Sequence, residues 1–134
     1  METNYLFKWV SMINHQKMMM DELSKILQRQ YDIGINEFYV LFVLSQSPER
    51  QMRLSDLIQQ ISLSQSAMSR LIGRLEAKNP TIIMRKNNNH DKRSMLIQLT
   101  NHGLKVTQQA IEEVNYFLVN RVGELNFSKD DLQA

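Results

Sequence analysis

At 134 residues and 43% hydrophobic content, the chain is long enough for one soluble domain with a sizeable core. It has no Cys, which excludes a disulfide framework, a thiolate metal site and a cysteine redox sensor. No stretch approaches the roughly 18 to 20 apolar residues of a membrane span, and the N-terminus lacks the pattern of a secretory signal. The expectation is therefore a cytoplasmic protein without a membrane partner. Net charge is only +2, but it is unevenly spread. Between Ser64 and Lys105 the basic residues are Arg70, Arg74, Lys78, Arg85, Lys86, Lys92, Arg93 and Lys105, against Glu76 and Asp91 alone. A mildly acidic body with a basic middle is the footprint of a polyanion-binding protein, although a solvated face gives the same count.

The first helix is predicted over Tyr5 to Gln30. Leu6, Trp9, Ile13, Met20, Leu23 and Leu27 follow 3,4 spacing, and Tyr5, Met12, Met19 and Ile26 repeat every seven residues beside them. That apolar stripe is wider than one small domain usually needs, so it suits either a core or a second subunit. Asp32 to Asn36 breaks the pattern. Asn36 is the expected N-cap of a second helix through Ser45, which Ser47-Pro48 ends. Met52-Arg53-Leu54 reads as a short strand, and Ser55 as the cap of a third helix over Asp56 to Ile61. Ser62-Leu63 forms a turn. Ser64 then caps a fourth helix, Gln65 to Lys78, which buries Ala67, Met68, Leu71, Ile72 and Leu75. Asn79-Pro80 closes it. Ile82 to Lys86 and Ser94 to Leu99 read as two strands around a polar tip, Asn87 to Asp91. Thr100 caps a fifth helix with a stripe of Leu104, Ile111, Val114, Leu118, Val122 and Leu125. Ser128-Lys129-Asp130-Asp131 resembles a capping box before a last short helix.

The fourth helix is the most informative element. Gln65, Ser66, Ser69 and Arg70 occupy its first two turns, opposite Leu71 and Leu75. An α-helix fits the DNA major groove, and residues at its start reach base edges. Gln and Arg each bond two base atoms at once, so Gln65 suits adenine and Arg70 guanine. Ser64 serves as helix cap or phosphate ligand. Arg74, one turn on, suits a phosphate or a surface ion pair with Glu76 or Asp56. A basic hairpin with Asp91-Lys92-Arg93 near its tip follows. Together these elements suggest a mainly α fold with a small β-hairpin, a winged helix-turn-helix.

The order of elements, with Leu54-Ser55-Asp56-Leu57, Leu63 to Ile72, Arg74-Leu75-Glu76, Asp91-Lys92-Arg93 and Leu99 to Gly103, resembles the MarR family of winged helix-turn-helix transcription regulators. The resemblance spans nearly the whole chain. It implies a single domain over residues 1–134, with dimerisation helices at about 1–30 and 104–134. The winged domain would occupy about 36–100, with a recognition helix at 65–78 and a wing at 82–99. It implies a homodimeric regulator of double-stranded DNA, with repression the commoner mode among relatives and an imperfect palindrome as operator. It also implies that Arg93 contacts DNA at the minor groove while Asp91 orients it. Lys86, His90 and Lys92 are further candidates for backbone contacts. Many relatives hold a small-molecule effector between the dimer helices and the winged domain. Tyr5, Trp9, Met12, Phe38, Tyr39 and Phe42 are candidates to line such a crevice, with core or dimer packing as the alternative. The chain departs from the family pattern at Asn79-Pro80-Thr81, at Asn88 and at Asn101-His102.

Other readings find little support. No P-loop, Gly-x-Ser-x-Gly or His-Glu-x-x-His motif is present, so no enzyme activity and no cofactor are expected. His15, His90 and His102 lack metal-ligand spacing. A winged helix that binds only protein remains open, and it would make Arg70 and Arg93 dispensable.

Overall fold

A computed structural model describes the backbone of residues 2–88 and 91–121, and the side chains of 4–87 and 94–121. The chain runs α1 (Glu2–Tyr31), α2 (Ile35–Ser45), β1 (Gln51–Arg53), α3 (Leu54–Gln60), α4 (Gln65–Glu76), β2 (Ile83–Asn88), β3 (Asp91–Leu99) and α5 (Asn101–Val119). The strands form an antiparallel sheet in the order β1-β3-β2. The hairpin is thus completed by the short strand anticipated around Met52. Among the described residues, no helix is long and apolar enough to cross a membrane.

One core joins all the helices to the sheet. Leu27, Ile33, Val40, Leu41, Leu44, Leu57, Met68, Leu75 and Ile97 are all fully buried in it. The 30 residues of α1 divide into two halves. Met19, Leu23 and Leu27 pack into the core, whereas Tyr5, Leu6, Phe7, Trp9 and Met12 are exposed. Its wide stripe therefore serves two surfaces, the domain's own core and an apolar face left open on the single chain.

Several boundaries differ from expectation for local reasons. Gly34, not Asn36, is the N-cap of α2, because the Glu37 carboxylate turns back to accept the Gly34 N–H at 3.0 Å. Ser55 lies inside α3, whose N-cap is Arg53. Asp56 is drawn to the Arg53 guanidinium at 3.0 and 3.3 Å instead of acting on the helix end alone. Helix α4 stops at Glu76, two residues early, and Lys78 leaves the helix for another partner. The hairpin strands extend further than hydropathy indicates. Asn87 pairs with Met95 and Asn88 with Asp91, across a register shift, since ladder bonds do not require apolar side chains. In α5 the buried face is Gly103, Thr107, Ala110, Val114 and Phe117. The anticipated stripe is rotated, with Leu104, Ile111 and Leu118 only partly buried. Its last members, Val122 and Leu125, and the capping box at Ser128 to Asp131 lie outside the described residues.

Candidate nucleic-acid interface

Helices α3 and α4 and their turn at Ser62-Leu63 form the helix-turn-helix. The Ser64 hydroxyl accepts the Ala67 N–H at 3.1 Å, and its carbonyl accepts the Met68 N–H at 2.9 Å. Ser64 thus acts as the helix cap. Its hydroxyl also sits 3.3 Å from that of Ser66. Replacing Ser64 with alanine should cost about 1 kcal/mol, the usual worth of such a cap, and lower the urea midpoint without changing the slope. An unchanged midpoint would show that the cap contributes nothing.

One face of α4 is locked and the other is free. Met68, Leu71, Ile72 and Leu75 are 0 to 2% exposed, each buried side chain contributing about 1.5 to 3 kcal/mol. Gln65, Ser66, Ser69 and Arg70 are all exposed on the opposite side. Among the described residues, no carboxylate lies within ion-pair distance of Arg70. Arg74 is also exposed, and its Nε is 4.0 Å from Glu37 Oε1. Its expected partners are both engaged elsewhere: Glu76 binds Arg85 and Asp56 binds Arg53. A contact that long leaves the Arg74 guanidinium free to turn toward a phosphate.

The wing is braced against this helix. Arg85 on β2 donates from Nε to Glu76 Oε1 at 2.7 Å, joining the wing to the last residue of α4. Thr81 Oγ1 lies 3.0 Å from the Glu76 carbonyl. Sequence reasoning did not single out Arg85, although an acid and a base nine positions apart across a Pro turn carry that signal. At the wing's root, the Thr100 hydroxyl accepts the Gly103 N–H at 2.9 Å and donates to the Thr81 carbonyl at 2.7 Å. The Thr100 N–H donates to the Ile82 carbonyl at 3.0 Å. The cap of α5 is therefore also the anchor of β2. Lys86 is exposed on the wing. Asp91, Lys92 and Arg93 begin β3, but their side chains, and His90 entirely, lie outside the described residues.

The aromatic candidates do not form one group. Phe38 and Tyr39 line an apolar cavity of about 430 Å³ between α1, α2 and α5, together with Met19, Met20, Leu23 and Phe117. Phe42 stacks on Phe38, with ring centroids 6.4 Å apart. Tyr5, Trp9 and Met12 do not line that cavity and stay on the exposed half of α1.

Residues 22–110 match the family described as transcriptional regulator SarA/Rot. The transcriptional regulator SarA of Staphylococcus aureus is 25% identical over 123 residues, covering 92% of this chain and 91% of its own. Among solved structures, AbsC, a MarR family transcriptional regulator from Streptomyces coelicolor, superposes with a TM-score of 0.82 at 27% identity, covering 95% of this chain and 83% of its own. A second MarR family regulator from that organism, solved in complex with DNA, superposes at 0.79 with 21% identity, covering 98% and 80%.

Proposed function

The chain belongs to the SarA/Rot family of transcriptional regulators, and from that membership we propose that it is a homodimeric, sequence-specific reader of double-stranded DNA. The observation that carries the reading is the division of α4. Its apolar face is fixed in the core, while its polar face presents Gln65, Ser66, Ser69 and Arg70 together. In this reading Gln65 and Arg70 contact base edges, Arg74 contacts a phosphate, and Ser66 and Ser69 bond nearby backbone or bases. Arg93 enters the minor groove beside the wing, oriented by Asp91, while Lys86, His90 and Lys92 face phosphates. The work of the protein is binding rather than catalysis.

The exposed apolar half of α1 supports the dimer, because six large apolar side chains between Tyr5 and Met12 are better covered than left in water. Two-fold symmetry then calls for an imperfect palindrome with half-sites about 10 bp apart. Occupying a promoter in the cytoplasm, such a dimer acts as a repressor. A small apolar effector held near Phe38 and Tyr39 would release it by binding the non-DNA-binding geometry more tightly.

The test is binding of the purified protein to its own upstream DNA at several salt concentrations. If six to ten phosphates are contacted, affinity falls by about 10³ to 10⁵ between 50 and 200 mM salt. An affinity independent of salt overturns the reading.

A further inference from the structure

Lys78 follows the recognition helix but points away from its exposed face. Its Nζ lies 2.5 Å from the main-chain carbonyl of Asp32 and 3.2 Å from Asp32 Oδ2, 46 residues away in sequence. Asp32 is the residue that ends α1. It takes a left-handed conformation, φ 55°, and its N–H donates to the Gln28 carbonyl at 3.1 Å. Its other carboxylate oxygen accepts Gln28 Nε2 at 2.6 Å. The carboxylate is therefore held from both sides, and the Lys78 side chain is only 22% exposed although Asp32 is open to solvent.

We propose that Lys78 is a positioning residue, tying the end of the recognition helix to the α1–α2 turn and so fixing the recognition helix against the helix that carries the dimer face. The proposal rests on the DNA-reading dimer described above. Two features beside the contact support it. Helix α4 is joined to the wing two residues before Lys78, at Glu76, so its carboxyl end is where wing, recognition helix and α1 meet. The turn at Asp32 is itself held by two hydrogen bonds to Gln28 and followed by the fully buried Ile33. A tether between two fixed ends transmits the orientation of α1 to α4. In a dimer that orientation sets the separation of the two recognition helices. Of the basic residues counted toward a DNA-facing charge, Lys78 would therefore carry no phosphate.

The experiment has a DNA-free arm and a DNA arm, each on the full chain. The absence of Cys permits spin labels at Lys25→Cys and Gln65→Cys, diluted with unlabelled chain so that only distances within one subunit are read. The distance distribution should be narrow with Lys78 present, broaden with Lys78→Met, and narrow again with Lys78→Arg. Equal widths in all three overturn the tether. In the DNA arm, unlabelled Lys78→Met should bind the best duplex about two- to fivefold more weakly, the scale of a partly exposed ion pair. Its salt dependence should keep the parent's slope. It should also discriminate less well between palindromes whose half-sites differ by one or two base pairs in spacing. Asp32→Asn should act in the same direction but more weakly, because the main-chain carbonyl remains. A salt slope reduced by about 1 in Lys78→Met, with Asp32→Asn silent, makes Lys78 a phosphate ligand and overturns the proposal. If the parent binds no duplex, the DNA reading fails separately, and the label distances still decide the tether.

Discussion

Replacing Arg70 and Arg93 together with alanine should strongly weaken sequence-specific DNA binding. A bidentate arginine–guanine contact is worth about 1 to 3 kcal/mol of discrimination, and we assign the arginine at the minor groove a similar weight. The two sites lie on different elements, α4 and β3, so their losses should be nearly additive. The combined loss is about 2 to 6 kcal/mol, or roughly 30-fold to 10⁴-fold in affinity. The salt slope should also become shallower, because fewer counterions are released. Stability is expected to change little at Arg70, which is exposed and pairs with no described carboxylate. Fluorescence anisotropy on upstream DNA, with circular dichroism of both proteins, measures the two effects separately. If the folded double variant bound as tightly and as salt-steeply as the parent, the polar face of α4 and the wing would not be the reading surface. A winged helix devoted to protein contacts would then be the better account.

Periodicity and capping made the helices legible in the sequence, and Ser64 and Thr100 are the clearest cases. Each is a hydroxyl immediately before an amphipathic run, and each hydroxyl accepts the N–H three residues on. The division of α4 into apolar and polar faces followed from the same 3.6-residue spacing. Less was legible where two local signals compete, or where the outcome depends on residues distant in sequence. Asn36 is as good a cap in isolation as any, yet Glu37 reaches back to Gly34 and starts the helix earlier. For Arg74 the sequence leaves a phosphate or an ion pair with Glu76 or Asp56 open, and the ion pair is excluded because Arg85 and Arg53 hold those two acids. Lys78 counted toward a basic surface, but its charge is turned onto Asp32, and no local pattern announces a contact across 46 residues. The α5 stripe was rotated for a related reason. Its buried face includes Gly103, Thr107 and Ala110, small residues chosen by close approach, which a search for large apolar side chains passes over.

That close approach leads to the largest expected loss of stability from a single methyl group. Gly103 does not need unusual backbone freedom, since no glycine in the described chain has positive φ. It needs space. A Cβ built there would lie 1.9 Å from the Ile82 carbonyl oxygen, 2.8 Å from its carbon and 3.1 Å from the Ile82 Cα. All three are main-chain atoms, which cannot rotate away as a side chain would. The Ile82 carbonyl also accepts the Thr100 N–H, so a shift that relieves the clash strains the cap of α5 and the root of β2 together. Gly103→Ala should gain up to about 1 kcal/mol of helix propensity and lose more from the forced displacement, for a net destabilisation of about 1 to 3 kcal/mol. It should also weaken DNA binding, since the wing pivots on that root. Gly73→Ala supplies the control, because a Cβ at Gly73 meets nothing within 4 Å. There only the propensity gain remains, and stability should rise by up to about 1 kcal/mol. Urea titrations of the two variants should therefore move in opposite directions from the parent. If Gly103→Ala were as stable as the parent, the wing root would not be packed against α5 as described, and the orientation of the wing would have to be set elsewhere.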